Sequence, residues 1–340
     1  FKNKSSHTRH MNRKTSCVKT KKQKNENKTS LQIEESKNEN ETSDNIQNIQ
    51  AEKKPSILET HQKVKYIDLF CGMGSFHYSF KKFGFECVMA SDISKSVKTN
   101  YKQNYDMDIL GDISKINPST IASYDILCAG FPCQPFSQAG HHKGFKDSRG
   151  TMFSQVMKFV KTNKPRVVVL ENVAHLLKHD NGKSFERIKQ EISAEGYNIR
   201  HKVLKCSDYG IPQMRKRLFI VGIKNVDDKK MDEFFNLNEY ESKTTLSDYL
   251  GHKFEKETAY TIRCGGGRSP IDDRHNWDGY WRNNNGNREE YRLTIPDALK
   301  LQGFENYELV GTQTAKWKML GNTIPTIFTE IIGKQIKKML

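Results

Sequence analysis

Gly130-Phe131-Pro132-Cys133-Gln134-Pro135-Phe136-Ser137 follows directly on the apolar run Tyr124-Asp125-Ile126-Leu127-Cys128-Ala129. The run reads as a buried strand, which puts Cys133 on a turn at the strand's carboxyl end. In an open parallel α/β sheet, that edge is where ligands and chemistry collect. Pro132 and Pro135 stiffen the turn and restrict where the sulfur points. A lone cysteine is most often a buried structural residue. The reading therefore turns on its neighbours.

Outward from this turn, apolar runs at 66–70, 85–90, 124–129, 167–170 and 218–223 read as strands. Helical spacing fills 76–83, 94–104, 152–160 and 185–192 between them. Strands alternating with helices predict an α/β fold, a Rossmann-like doubly wound sheet that is largely parallel. The regularity ends near Asn225. From there to about Tyr291 the chain is polar, glycine-rich and aromatic, and reads as a smaller inserted unit. Residues 325–340 carry Ile327, Phe328, Ile331 and Ile332 on one face, with Lys334, Lys337 and Lys338 towards the end. That is an amphipathic helix expected to return to the large domain. The boundaries expected are a tail over 1–60, a large domain over 61–224, the small unit over 225–304 and a returning segment over 305–340.

Composition narrows the class. The chain has 340 residues, 35% of them hydrophobic, and a mean hydropathy of -0.78. The apolar deficit lies in residues 1–60, which cannot bury enough surface to offset their ordering entropy and read as a disordered basic and polar tail. The initial Phe1 suggests a fragment or processed form. Net charge is +16, of which about +11 falls on the part after the tail. A basic folded domain suits a polyanionic partner. The seven cysteines form no CxxC pair, which suits a reducing, intracellular compartment, cytoplasmic, nucleoid or nuclear. The histidines show no ligand-spaced cluster, so no metal is expected. No apolar run approaches a membrane span, and no membrane association is expected.

Four strand ends carry candidate chemistry. Asp68-Leu69-Phe70-Cys71-Gly72-Met73-Gly74-Ser75-Phe76 is a strand, glycine turn and helix start, where backbone can approach a nucleotide-like ligand. It lacks the third glycine of a dinucleotide fingerprint. Asp92, about twenty residues on, is spaced to grip ribose hydroxyls. Asp112 offers a second carboxylate for an adenine amino group. Together these suggest an adenosine-containing cofactor with no pyrophosphate to cradle. Glu171 closes the run Val167-Val168-Val169-Leu170, a costly place for a carboxylate unless it is paired or used. Arg215 and Arg217 alternate before the next strand and would send two guanidiniums towards one site.

With these residues in place, the chain resembles the cytosine-C5 DNA methyltransferases of the bacterial restriction-modification type. The likeness runs from about residue 65 to the C-terminus. Its motifs come in order: Asp68 to Phe76; Gly130 to Ser137; Glu171-Asn172-Val173; Gln213 to Arg217; Arg292-Leu293-Thr294-Ile295-Pro296-Asp297-Ala298 with Gln302-Gly303-Phe304; and Gly321-Asn322-Thr323-Ile324-Pro325. One departure is Asp92, where many members carry glutamate; a shorter arm should still reach ribose.

The resemblance implies a methyltransferase sheet with a small target-recognition domain, S-adenosylmethionine as cofactor and double-stranded DNA as substrate. It implies Cys133 as nucleophile at cytosine C6, Glu171 at N3, Arg217 at O2 with Arg215 in support, and Phe70 stacked on the adenine. Gly72, Gly74, Asp92, Asp112 and Asn322 would complete the cofactor site. The target base would have to be flipped out of the duplex. The loop from Ser137 resembles the family's mobile DNA-closing loop. Arg263 and Arg268, with Arg274 and Arg282, are candidates for guanine or phosphate contacts. Trp277, Tyr280 and Trp281 are expected as core. A monomer is expected, with a restriction endonuclease of the same site as a partner. Two alternatives remain open at this point: a tRNA cytosine-C5 methyltransferase, and a catalytically silent DNA-binding protein of the same fold.

Overall fold

The computed structural model describes residues 63–132, 152–237, 243–265 and 267–340. Its large layer contains β1 (Lys65–Leu69), α1 (Ser75–Phe80), β2 (Glu86–Ser91), α2 (Lys95–Tyr105), β3 (Ile126–Gly130), α3 (Met152–Asn163), β4 (Val167–Asn172), α4 (Lys183–Ser193), β5 (Asn198–Lys205) and β6 (Lys216–Ile223). The six strands form one sheet in the order β2-β1-β3-β4-β6-β5. The order reverses between β1 and β3, which opens a crevice outside their carboxyl ends.

Side-chain alternation divides the core into two faces. Ile67, Leu69, Leu127, Ala129, Val168 and Leu170 pack against Phe153, Val156 and Val160 of α3 and Ile188 and Ile192 of α4. Tyr66, Cys128, Val167 and Val169 belong to the opposite cluster, with Phe76, Phe80 and Phe328. All six residues of β4 are buried, which explains its unbroken valine run: a central strand covered on both faces needs no polar alternation.

The sheet is largely parallel, as expected, but mixed: five of its six strands share one direction and β6 alone runs against them. Strands β1 to β4 are parallel, whereas β6 runs antiparallel to both β4 and β5. The spacing of apolar residues fixes a strand's face but not its direction. Strand β5 was also not anticipated. Its sequence, Asn198-Ile199-Arg200-His201-Lys202-Val203-Leu204-Lys205, is that of a polar edge strand with no apolar run to mark it.

After β6 come α5 (Asp228–Phe234), α6 (Leu246–Leu250) and a three-stranded sheet of β7 (Lys253–Phe254), β8 (Gly279–Asn284) and β9 (Asn287–Arg292), in that order. Asn285 and Gly286, both at positive φ, turn the β8–β9 hairpin. Trp277 and Tyr280 are buried as expected, and they are continuous with one face of the large sheet's core. Three helices close the chain: α7 (Ile295–Leu301), α8 (Gln313–Asn322) and α9 (Thr326–Met339). Helix α9 lies on α1, with Ser79 Oγ 2.7 Å from Thr329 Oγ1. The returning segment is thereby fixed beside the first glycine turn. Among the described residues, no helix is long and apolar enough to cross a membrane.

Candidate active site

Phe70 leaves β1 at φ 59°, and Gly72 and Gly74 follow at 53° and 76°. At Gly74 no side chain fits, because a Cβ would stand 2.6 Å from the Tyr105 ring. Tyr105 also secures this turn by donating its hydroxyl hydrogen bond to the carbonyls of Met73 and Gly74, at 2.8 and 3.1 Å. Nothing lies within 4 Å of the Cβ position of Gly72, so that face of the turn is open.

Two carboxylates flank the opening. Asp92, just past β2, accepts from the backbone N–H of Gly72 at 3.2 Å and of Ser94 at 2.8 Å. Burial pushes its carboxyl pKa up, against the pull of those two donors. Asp112 reaches the same edge because Leu110 bridges to Ser91. The side chain and backbone of Ser114 hold Asp112 below the usual carboxylate range. Ser75 Oγ donates to Ile324 O at 2.6 Å, which brings the segment around Asn322 against the glycine turn. Asn322 Oδ1 accepts from Cys264 Sγ at 2.7 Å.

Across the sheet edge, Glu171 and Arg217 form a pair at 2.9 Å, both little exposed. The reversal of β6 creates this contact, since it places the start of β6 beside the end of β4. Burial raises the Glu171 carboxyl, while Arg217 and then Arg215 lower it. Gly130 leaves room for the carboxylate: a Cβ there would meet Glu171 Oε2 at 3.3 Å. Arg215 is fully buried. Its guanidinium donates to the carbonyls of Ile262, Gly321 and Thr323 at 2.7–2.9 Å. Its two Nη groups are engaged by backbone, whereas its Nε is buried without a partner.

Asn172 donates to Phe131 O at 3.0 Å and accepts from Val173 N at 2.9 Å, tying the exit of β3 to the end of β4. Cys133 and Ser137 lie outside the described residues. Arg263 and Arg268 are exposed. Arg282, by contrast, pairs with Glu289 and stacks on Tyr291, so it is committed within the small sheet.

A family model for the C-5 cytosine-specific DNA methylases matches residues 64–280. This chain belongs to that family. The methylase is 32% identical over 315 residues to the type II methyltransferase M.HaeII of Haemophilus aegyptius, covering 82% of this chain and 94% of the relative. It is 40% identical over 187 residues to M.HhaI of Haemophilus parahaemolyticus, covering 55% of this chain and 57% of that one. Among solved structures, the S. pombe Dnmt2 methyltransferase superposes with a TM-score of 0.63 at 16% identity, over 82% of this chain and 99% of that one. A putative DNA modification methyltransferase from an E. coli prophage gives 0.58 at 20%, over 81% and 99%. These two likenesses speak to the fold. The chain is an enzyme of this family, a DNA cytosine-C5 methyltransferase, and the family implies a methyl-donor cofactor.

Three features of this sheet edge were not anticipated from the sequence: the burial of Asp68 and the exposure of Ile93 and Leu110. Asp68 is buried with Oδ2 unpartnered, and burial, then Asp92, raises its carboxyl pKa well above the ordinary value. Ile93 and Leu110 are large apolar side chains that stay 75% and 43% exposed beside Asp92. The local sequence carries no signal for them, since their exposure or burial is set by segments distant in the chain. No group of three or more metal-binding side chains occurs among the described residues.

Proposed function

We propose that this methylase transfers a methyl group from S-adenosylmethionine to C5 of a cytosine flipped out of a short, specific duplex sequence. The observation that carries the reading is the buried Glu171–Arg217 pair, one strand from the Phe131-Pro132 turn that leads into Cys133. The cofactor edge fits the donor. Its glycine turn is open at Gly72, carboxylates stand at Asp92 and Asp112, and apolar side chains lie exposed between them.

In this reading Phe70 packs on the adenine, Asp92 binds the ribose and Asp112 the adenine amino group. Gly72 and Gly74 bring backbone close, with Asn322 alongside. When bound, S-adenosylmethionine supplies the electrophilic methyl group that C5 takes. The Cys133 thiolate adds to C6, forming a C–S bond and moving ring electrons towards C5. Glu171 holds a proton at N3, which its raised pKa favours. Arg217 holds O2 and offsets charge developing on the ring. Loss of the C5 proton to water then returns its electron pair to the ring, breaks the C6–S bond and expels the Cys133 thiolate. Arg215 acts through the backbone it clamps, as a positioning residue. Residues 225–304 form the target-recognition unit, with Arg263 and Arg268 on DNA and Ser137 on the closing loop. A monomer suffices for this chemistry. A restriction endonuclease of the same site is the partner implied.

The test is transfer of labelled methyl from S-adenosylmethionine to duplex DNA and to tRNA, by wild type and Cys133→Ala, with bisulfite sequencing. Label in 5-methylcytosine at one short DNA motif, abolished by Cys133→Ala, is expected. Label in tRNA alone would overturn the DNA reading.

A further inference from the structure

The arginines of the small sheet and of the segment that leads into β8 differ in what surrounds them. Arg282 pairs with Glu289, Arg288 with Glu255, and Arg292 with Asp278 and Glu290. Arg268 is exposed, and its guanidinium has no carboxylate partner among the described residues. Its backbone is held more firmly than an exposed loop requires. Arg268 sits at φ 72°, a left-handed conformation that is costly for a residue with a side chain. The buried Asp278 carboxylate accepts the Arg268 N–H with both oxygens, at 3.0 and 3.1 Å. Gly267 passes close to the same carboxylate: a Cβ there would stand 3.0 Å from Asp278 Oδ2. Arg292 Nη1 anchors Asp278 at 3.2 Å, and the Trp277 indole donates to Gly265 O.

A strained backbone over-determined by a buried carboxylate, itself paired with a half-buried arginine, is the arrangement expected where a side chain must be presented in one place. We propose that Asp278 is a positioning residue that presents Arg268 to a guanine edge in the major groove, making Arg268 specificity-determining for one base pair of the target. The inference rests on the DNA reading above. A bidentate arginine–guanine contact separates the right base from a wrong one by roughly 5- to 150-fold.

The experiment uses the full chain on a randomised duplex library, with bisulfite sequencing to read the preferred site and initial rates to give KM for DNA. Arg268→Gly removes the side chain while relieving the positive φ, so the fold is spared. Loss of preference at one G·C position, with the other positions kept and the thermal midpoint unchanged, is expected. Asp278→Asn should blur that same position by a smaller factor. A uniform rise in KM with the preference intact, and a salt slope lower by about one, would mark a phosphate contact and overturn the proposal. An unchanged preference and KM would also overturn it. Absence of DNA methylation by wild type would remove the DNA reading itself, and this inference with it.

Discussion

Arg217 Nε lies 2.9 Å from Glu171 Oε1, and the two side chains meet only because β6 runs against β4. The pair sets the protonation of the carboxyl. Burial favours its neutral form and Arg217 opposes that. Activity that uses a neutral Glu171 is present below its pKa and lost as pH rises through it. Arg217→Ala removes the lowering charge, so the basic limb of the kcat profile should move to higher pH. The plateau should fall by about 10²- to 10³-fold with the loss of transition-state stabilisation. Glu171→Gln should flatten that limb. Steady-state rates followed from about pH 4, the ordinary carboxylate value, upward check both.

Arg215 should behave as part of the framework. Three carbonyls from two distant segments share its guanidinium. Arg215→Met leaves them buried without donors, at a cost of about 3 kcal/mol or more. The thermal midpoint should drop by roughly 5–10 °C. Arg215→Lys should rescue little, because an ammonium cannot span the three acceptors as a planar fork does. Calorimetry of the three proteins decides it.

The two glycines of the first turn should separate stability from binding. Gly74→Ala places a methyl group against Tyr105 at positive φ, and should cost about 2 kcal/mol or more. Gly72→Ala meets open space and should cost about 1 kcal/mol, the backbone term alone. Its methyl group instead occupies the open face, so cofactor affinity should fall more than stability. Urea denaturation beside titration with S-adenosylmethionine measures the two effects. Tyr105→Phe should lose about 1 kcal/mol and raise the cofactor KM with little change in kcat.

Asp68 should impose a pH slope on stability. Its carboxyl pKa is raised in the folded state by burial and by Asp92. The folded protein then holds a proton that the unfolded chain has released, from about pH 4 up to the folded pKa. Stability from this group is therefore lost as pH rises through that window. Asp68→Asn does not titrate and should show a flatter dependence in urea melts at pH 5 and pH 8. An unchanged slope would place the titration elsewhere.

Much of this was legible before the structure. The alternation of apolar runs located β1 to β4, β6 and the helices on both faces, because local periodicity reports burial directly. The strand-end positions of Asp92 and Glu171 followed from the same pattern. Strand β5 was not legible, since an edge strand bearing Arg200, His201 and Lys202 has no apolar signature. Arg282 read as a free cation until Glu289 appeared opposite it on the neighbouring strand. Exposed Ile93 and buried Asp68 were equally hidden, as each is notable only for its surroundings.

By itself the sequence determined the α/β class, the family and the order of its motifs, all of which rest on residue types at short spacings. Tertiary structure alone decided the reversal of β6 and therefore the Glu171–Arg217 contact. It also decided that Arg215 is spent on backbone carbonyls while Arg268 is held out by Asp278. The reason is physical: periodicity along a chain encodes which face of an element is buried. Partners, strand direction and desolvation depend on segments distant in sequence, and exist only once those segments pack.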